Sequence, residues 1–121
     1  MLLEEDLSYP IRGCVFEVFR ELGGGFLEKV YEKALLRELQ LQGSAAECQV
    51  SLPVSYKGCL VGQYTADVIV EGRVVLELKA QHPLSPTSEA QLINYLHASG
   101  KKVGMLVNFA TPKATVKRFV V

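Results

Sequence analysis

Tyr64-Thr65-Ala66-Asp67-Val68-Ile69-Val70-Glu71-Gly72-Arg73-Val74-Val75-Leu76-Glu77-Leu78-Lys79-Ala80 decides how this chain is read. Two runs rich in β-branched residues flank Glu71-Gly72, a pair suited to a tight turn, so they read as the strands of one hairpin. Val74-Val75-Leu76 is apolar without alternation, as in a strand buried on both faces. Charges interrupt both strands. Asp and Glu are poor strand residues, and a buried charge is costly unless it is paired. Glu77 and Lys79 are two apart and share one face of their strand. Pairing about the turn brings Asp67 near Glu77, so two carboxylates and one ammonium meet.

That trio has a chemical reading. Two neighbouring carboxylates repel unless a cation lies between them. Mg²⁺ suits the place, because it takes oxygen ligands and often only one or two carboxylates. A phosphodiester oxygen would complete its shell, and the metal would polarise the phosphate and make a bound water more acidic. Lys79 would orient that water or stabilise the developing negative charge. The plain alternative is a structural ion pair between Asp67 and Lys79 with Glu77 at the sheet edge. The spacing D-x(9)-E-x-K is short and common, so by itself it leaves both open.

Outward from the hairpin, the periodicity predicts the rest of the fold. Ile11, Cys14, Val15, Val18, Phe19 and Leu22 recur at helical spacing, after an opening at Ser8-Tyr9-Pro10. Gly23-Gly24-Gly25 interrupts the helix, and Leu27, Val30, Tyr31, Ala34, Leu35 and Leu39 form a second helical pattern that ends at Gly43. Val50–Tyr56 reads as a strand whose Pro53 places it at an edge or a bulge. Lys57-Gly58 is a turn into the strand Leu60–Val70. Beyond Ala80, His82–Ser88 is a loop, with Ser85 or Ser88 available to cap a third helix over Ala90, Ile93, Tyr95 and Leu96. Val103–Phe109 and Ala114–Val121 are the last strands. The order α-α-β-β-β-α-β-β predicts an α/β (α+β) fold, a mixed central sheet flanked by helices.

With 121 residues, residues 1–121 are expected to form a single domain. Half the chain is hydrophobic (49%), which fits a packed core rather than disorder. The formal net charge is zero, which argues against binding nucleic acid by bulk charge. The balance is uneven: residues 1–47 hold nine acids and five bases, whereas 48–121 hold four acids and eight bases. If Lys101, Lys102, Lys113, Lys117 and Arg118 shared a face, they would suit an anionic partner. No apolar run reaches a membrane span, and the acidic start does not read as a secretory signal. Cys14, Cys48 and Cys59 form no CxxC and suit a reducing cytoplasm, with Cys48 and Cys59 as small apolar fillers. His97 is expected on an exposed helix end, while His82, just after Lys79, is near enough to touch a substrate.

Further residues gather around the trio. Gln91 and Tyr95 are four apart on one face of the third helix, which follows the Lys79 strand directly. Glu28 and Glu32 are also four apart, and on spacing alone both read as solvated surface acids. These pieces resemble the PD-(D/E)xK nuclease superfamily, with its restriction-endonuclease-like core, and within it the small GxxExxR group. The similarity runs from Leu7-Ser8-Tyr9 to the last strand. It rests on Glu21-Leu22-Gly23-Gly24-Gly25-Phe26-Leu27-Glu28, Val30-Tyr31-Glu32-Lys33-Ala34-Leu35, Leu52-Pro53-Val54-Ser55-Tyr56-Lys57-Gly58, Tyr64-Thr65-Ala66-Asp67, Leu76-Glu77-Leu78-Lys79-Ala80, Glu89-Ala90-Gln91-Leu92-Ile93-Asn94-Tyr95-Leu96 and Val103-Gly104-Met105-Leu106-Val107-Asn108-Phe109.

The resemblance implies a nuclease that uses Mg²⁺ or Mn²⁺ to hydrolyse phosphodiester bonds of nucleic acid, DNA first, in DNA repair or defence. Asp67 and Glu77 would match the metal-binding acids and Lys79 the catalytic lysine. Gln91 and Tyr95 resemble the Q-x-x-x-Y element of RecB-type and phage-exonuclease-type members, which lines the site and holds substrate. Glu28 matches the acid of the G-x-x-E signature, as a further metal ligand. Glu32, one turn on, is the reserve, at a spacing similar to that in archaeal Holliday-junction resolvases. Lys101 and Lys102 are candidate phosphate contacts. Phe19 and Ser88 stand where relatives often carry His, and slower or altered catalysis is the implied consequence of those two changes; Tyr31 stands where the group's name suggests Arg, though Tyr is familiar there. A homodimer or a partner protein would supply reach and specificity to so small a chain. Two other function classes compete: a non-catalytic binding module that retains the fold, and an interaction protein that pairs through Cys14, Val15, Val18 and Phe19.

Overall fold

The computed structural model describes residues 3–121. The elements run α1 (Glu5–Leu22), α2 (Glu28–Leu41), β1 (Ala46–Tyr56), β2 (Cys59–Val70), β3 (Val74–Lys79), α3 (Thr87–Ser99), β4 (Val103–Asn108) and β5 (Thr115–Val120), in the order the sequence predicts. The five strands form one sheet in the order β1-β2-β3-β4-β5. All neighbours are antiparallel except β3 and β4, which run parallel because α3 crosses between them. β3 and β4 are buried along almost their whole length, as their unbroken apolar runs require.

The helices cover both faces of this sheet. On one face α1 and α2 bury Ile11, Val15, Tyr31, Leu35 and Leu39 against Val68, Leu76, Leu78 and Met105. On the other, α3 lays Leu92, Tyr95 and Leu96 on Ala66, Val75 and Leu106. Gly104 lets α3 approach closely, since a Cβ there would sit 2.9 Å from Leu92 Cδ1. Cys14, Val15 and Val18 are at most 4% exposed. This corrects their reading as a pairing surface: they face the chain's own sheet, with Phe19 packed against them.

Local boundaries differ where long-range contacts intervene. α1 starts at Glu5, so Pro10 lies inside the helix rather than in its first turn. Arg73, just past the β2–β3 turn, holds this early start by hydrogen bonds to Glu4 Oε1 (2.6 Å) and Asp6 Oδ2 (2.8 Å). β1 begins at Ala46, four residues before the expected strand, and is the edge strand Pro53 suggests, with a register shift at Val54/Ser55. Lys57-Gly58 and Glu71-Gly72 both adopt positive φ, the geometry of tight hairpin turns. Pro86, not Ser85 or Ser88, occupies the cap position of α3. Cys48 is half-buried, but Cys59 is exposed beside its turn and fills no core. Lys117 and Arg118 turn to opposite sides of the sheet: Lys117 reaches Glu89 on α3, whereas Arg118 reaches the carbonyl of Leu3 beside α1.

Candidate active site

β2 and β3 part company at the site. Their pairing runs from Val70↔Val74 to Val68↔Leu76 and stops there. The next pair in that register is Asp67 with Glu77. Instead of a ladder bond, Asp67 Oδ2 accepts the backbone N–H of Leu78 at 2.8 Å. A side chain thus satisfies the amide that a strand would otherwise pair. Beyond Asp67, β2 continues with β1 alone, and a gap opens beside the C-terminal end of β3.

Glu77 and Lys79 stand at this gap. Glu77 is 4% exposed. Its Oε1 lies 3.7 Å from Lys79 Nζ, and its Oε2 is buried with no hydrogen-bond partner. Burial first, and then the charge of Asp67 and a hydrogen bond that the protonated acid gives to it, push the Glu77 carboxyl up to about 8. The plain alternative for the trio is thereby corrected: Lys79 pairs with Glu77 and not with Asp67, and Glu77 lies on an inner strand rather than at the sheet edge.

The third helix delivers both residues expected of it. Gln91 Oε1 accepts from Lys79 Nζ at 3.4 Å, a long bond that steadies the ammonium. Tyr95 is buried against Tyr64, ring centroids 5.2 Å apart. Its phenol is pushed up to about 12 by burial first and then by Glu77 and Asp67. Tyr64 is a contributor that spacing does not reveal, because it comes from the hairpin arm beyond the break.

On the α2 side, Glu28, Lys29, Glu32, Gln49, Asp67 and Leu78 line a cavity of about 120 Å³. Glu32 is 5% exposed, which corrects its reading as a surface acid. It accepts from Lys29 Nζ (3.1 Å) and Gln49 Nε2 (2.5 Å). Gln49 stands across from Asp67 with φ +53°, an unusual backbone for a non-glycine residue. Glu28 is exposed at the cavity rim. Partial burial raises its carboxyl pKa, Lys79 lowers it, and Asp67 and Glu32 raise it further.

Other candidates lie elsewhere. Val74 pairs with Val103 and Lys79 with Asn108, so Lys101 and Lys102 precede the far end of β4. Five residues of strand, about 16 Å, separate that end from the site. His82 is exposed and His97 lies on the exposed end of α3, as expected. Phe19 packs against Tyr31 (6.5 Å between centroids), and Ser88 is buried at the start of α3.

The donor set can be tested for a metal. Among the described residues no three of His, Cys, Asp and Glu converge into a cluster, so Glu28 does not join Asp67 and Glu77 in a ready-made three-ligand site. Two carboxylates do converge, and one presents a buried oxygen without a partner. That set fits a hard cation bound through one or two carboxylates, with water and phosphate oxygens completing its shell.

A family model described as the PD-(D/E)XK nuclease superfamily matches residues 5–119. The chain belongs to this superfamily. Solved structures agree on the fold of this superfamily member. The crystal structure of SSO0001 aligns with a TM-score of 0.62 at 20% identity, covering 77% of this chain and 50% of that one. An alkaline exonuclease from Laribacter hongkongensis aligns with a TM-score of 0.57 at 10% identity, over 99% of this chain and 72% of that one. This PD-(D/E)XK chain therefore spans half the length of SSO0001. No curated protein matches it by sequence. No helix among the described residues is long and apolar enough to cross a membrane.

Proposed function

We propose that the chain is a metal-dependent nuclease that hydrolyses phosphodiester bonds of nucleic acid, DNA first. The observation that carries this reading is the pair of carboxyls that Glu77 and Asp67 bring together, Glu77 being buried with no donor at its Oε2. Asp67 and Glu77 would hold Mg²⁺ or Mn²⁺, with Glu28 at the rim as a further acid. Bound there, the cation would supply Lewis-acid chemistry, polarising the phosphate and making water more acidic. Lys79 stabilises negative charge as it develops on the phosphate, held toward the site by Glu77 and Gln91. Tyr95 walls the site and excludes water from the buried side of Glu77. Reach and specificity beyond this site would come from a second copy or a partner protein. The resemblance to the GxxExxR group belongs to the same reading.

Calorimetry tests the site before any substrate is known. Mn²⁺ binds the wild type, and Asp67→Ala abolishes the heat while the circular dichroism spectrum is kept. Lys79→Ala keeps metal binding and lowers cleavage by about 100-fold or more. A folded wild type that binds no Mn²⁺, alone or with oligonucleotide present, returns the chain to the non-catalytic module. Unchanged cleavage in both variants would also defeat the reading.

A further inference from the structure

A second cavity adjoins the site. It measures about 340 Å³ and lies between the loop Gly25-Phe26-Leu27, the stretch Ala80-Gln81-His82 and the β4 end at Phe109-Thr111. Two of its walls are continuous with the candidate machinery: Leu27 precedes Glu28, and Ala80 follows Lys79. Anything seated here is one residue of chain from both.

The wall is built around a fixed aromatic ring. Phe26 is 45% exposed and Leu27 is 78% exposed, an unusual display for a loop wedged among buried groups. Phe26 is not loose. Its backbone N–H donates to Tyr31 Oη at 3.2 Å, and Tyr31 Oη donates to the carbonyl of Gly23 at 2.6 Å. Its ring stands edge-on to Tyr31 (6.1 Å, 85°), which stacks in turn on Phe109 (4.6 Å, 2°). Gly24 presses the loop onto Thr111, where a Cβ would lie 2.5 Å from Cγ2. The floor carries polar groups too. Asn108 fixes the backbone of Gln81 at both its N–H and its carbonyl, and Gln81 Oε1 accepts from the N–H of Ser85. The Gln81 Nε2 donors and the exposed His82 imidazole are left for a ligand.

We infer that this cavity receives one unpaired nucleobase of the strand whose phosphate occupies the Asp67–Glu77–Lys79 site. The inference rests on the nuclease reading and deepens it, by assigning a substrate that is single-stranded or frayed at the point of attack. A cavity of this volume is at the small end for ligand pockets and has room for a planar base, and a base seated there has left its pairing partner. Stacking on an aromatic ring is worth about tenfold in affinity per base and tolerates any sequence. It also needs no net positive charge, which this chain lacks.

The test is fluorescence anisotropy with a labelled single strand of about 12 nucleotides, in Ca²⁺ so that it is bound without being cut. One abasic position is moved along the strand. The wild type loses about tenfold in affinity when the missing base is the one that enters the cavity. Phe26→Ala weakens the intact strand by a similar factor and erases that position's effect, while Phe26→Trp restores it. Mn²⁺ calorimetry on Phe26→Ala is unchanged, because the side chain lies outside the carboxylate site. Equal affinities for wild type and Phe26→Ala, a flat abasic profile, or no strand binding overturn the base site. If Mn²⁺ binding is intact in those cases, the nuclease reading stands; if it is absent from the wild type, both fall.

Discussion

Glu77 is the residue whose environment is least comfortable. Its carboxyl is buried, no donor reaches its Oε2, and Asp67 adds a second negative charge. Protonation is one remedy and a bound cation is another. Without metal, the folded state holds the proton up to about pH 8, whereas an ordinary glutamate releases it near 4.5. The folded chain therefore binds more protons than the unfolded chain between those values, and stability falls as pH rises through that window. Below about pH 4.5 both states are protonated, and the contribution is fully present. Melts in EDTA read this directly: the wild type loses stability from about pH 5 to 8, and Glu77→Gln flattens that slope. Parallel slopes for both proteins would show that Glu77 ionises freely. Added Mn²⁺ stabilises more at pH 8 than at pH 5.5, since it competes with that proton.

At the scale of elements, the decisive event is the parting of β2 from β3, and it shows what the sequence reveals and what it hides. The hairpin about Glu71-Gly72 is legible because strand alternation and turn chemistry agree, and the register then puts Asp67 opposite Glu77. Where pairing stops is not legible. It depends on the Asp67 side chain taking the Leu78 amide, a choice made only once the two strands are assembled. Glu32 is hidden for a similar reason. Helical spacing alone makes it a surface acid, and Gln49, seventeen residues away, reaches over to bury it. The α3 side is better encoded: Gln91 and Tyr95 share a helix face and arrive at Lys79 and Tyr64. Their placement depends on the α3–β4 contact at Gly104. Gly104→Ala would push a Cβ to 2.9 Å from Leu92 Cδ1 and 3.2 Å from Leu96 Cδ1, both on buried side chains with little room to yield. Destabilisation of about 1–3 kcal/mol by chemical denaturation is expected, together with weaker cleavage as α3 shifts Gln91 off Lys79. Wild-type stability would mean that the helix seats itself some other way.

Across the whole molecule, charge and chemistry are separated. Acids gather where the metal is proposed, at the C-terminal end of β3, while Lys101 and Lys102 lie about 16 Å away along the sheet. Lys117 is paired with Glu89, so its charge is compensated. With zero net charge, binding to a strand would draw little on phosphate neutralisation. The lysine pair then acts on affinity and not on the reaction. Each single-strand phosphate contact contributes about 0.7 to the slope of log affinity against log salt. The double variant Lys101→Ala with Lys102→Ala should reduce that slope by no more than about 1.4. Its cleavage rate at saturating protein in a single turnover should be unchanged, because neither side chain reaches the reacting atoms. A drop in that saturated rate would put the lysines at the scissile phosphate. That would require the strand to cross the sheet from end to end, rather than enter beside Lys79 and leave past Phe26.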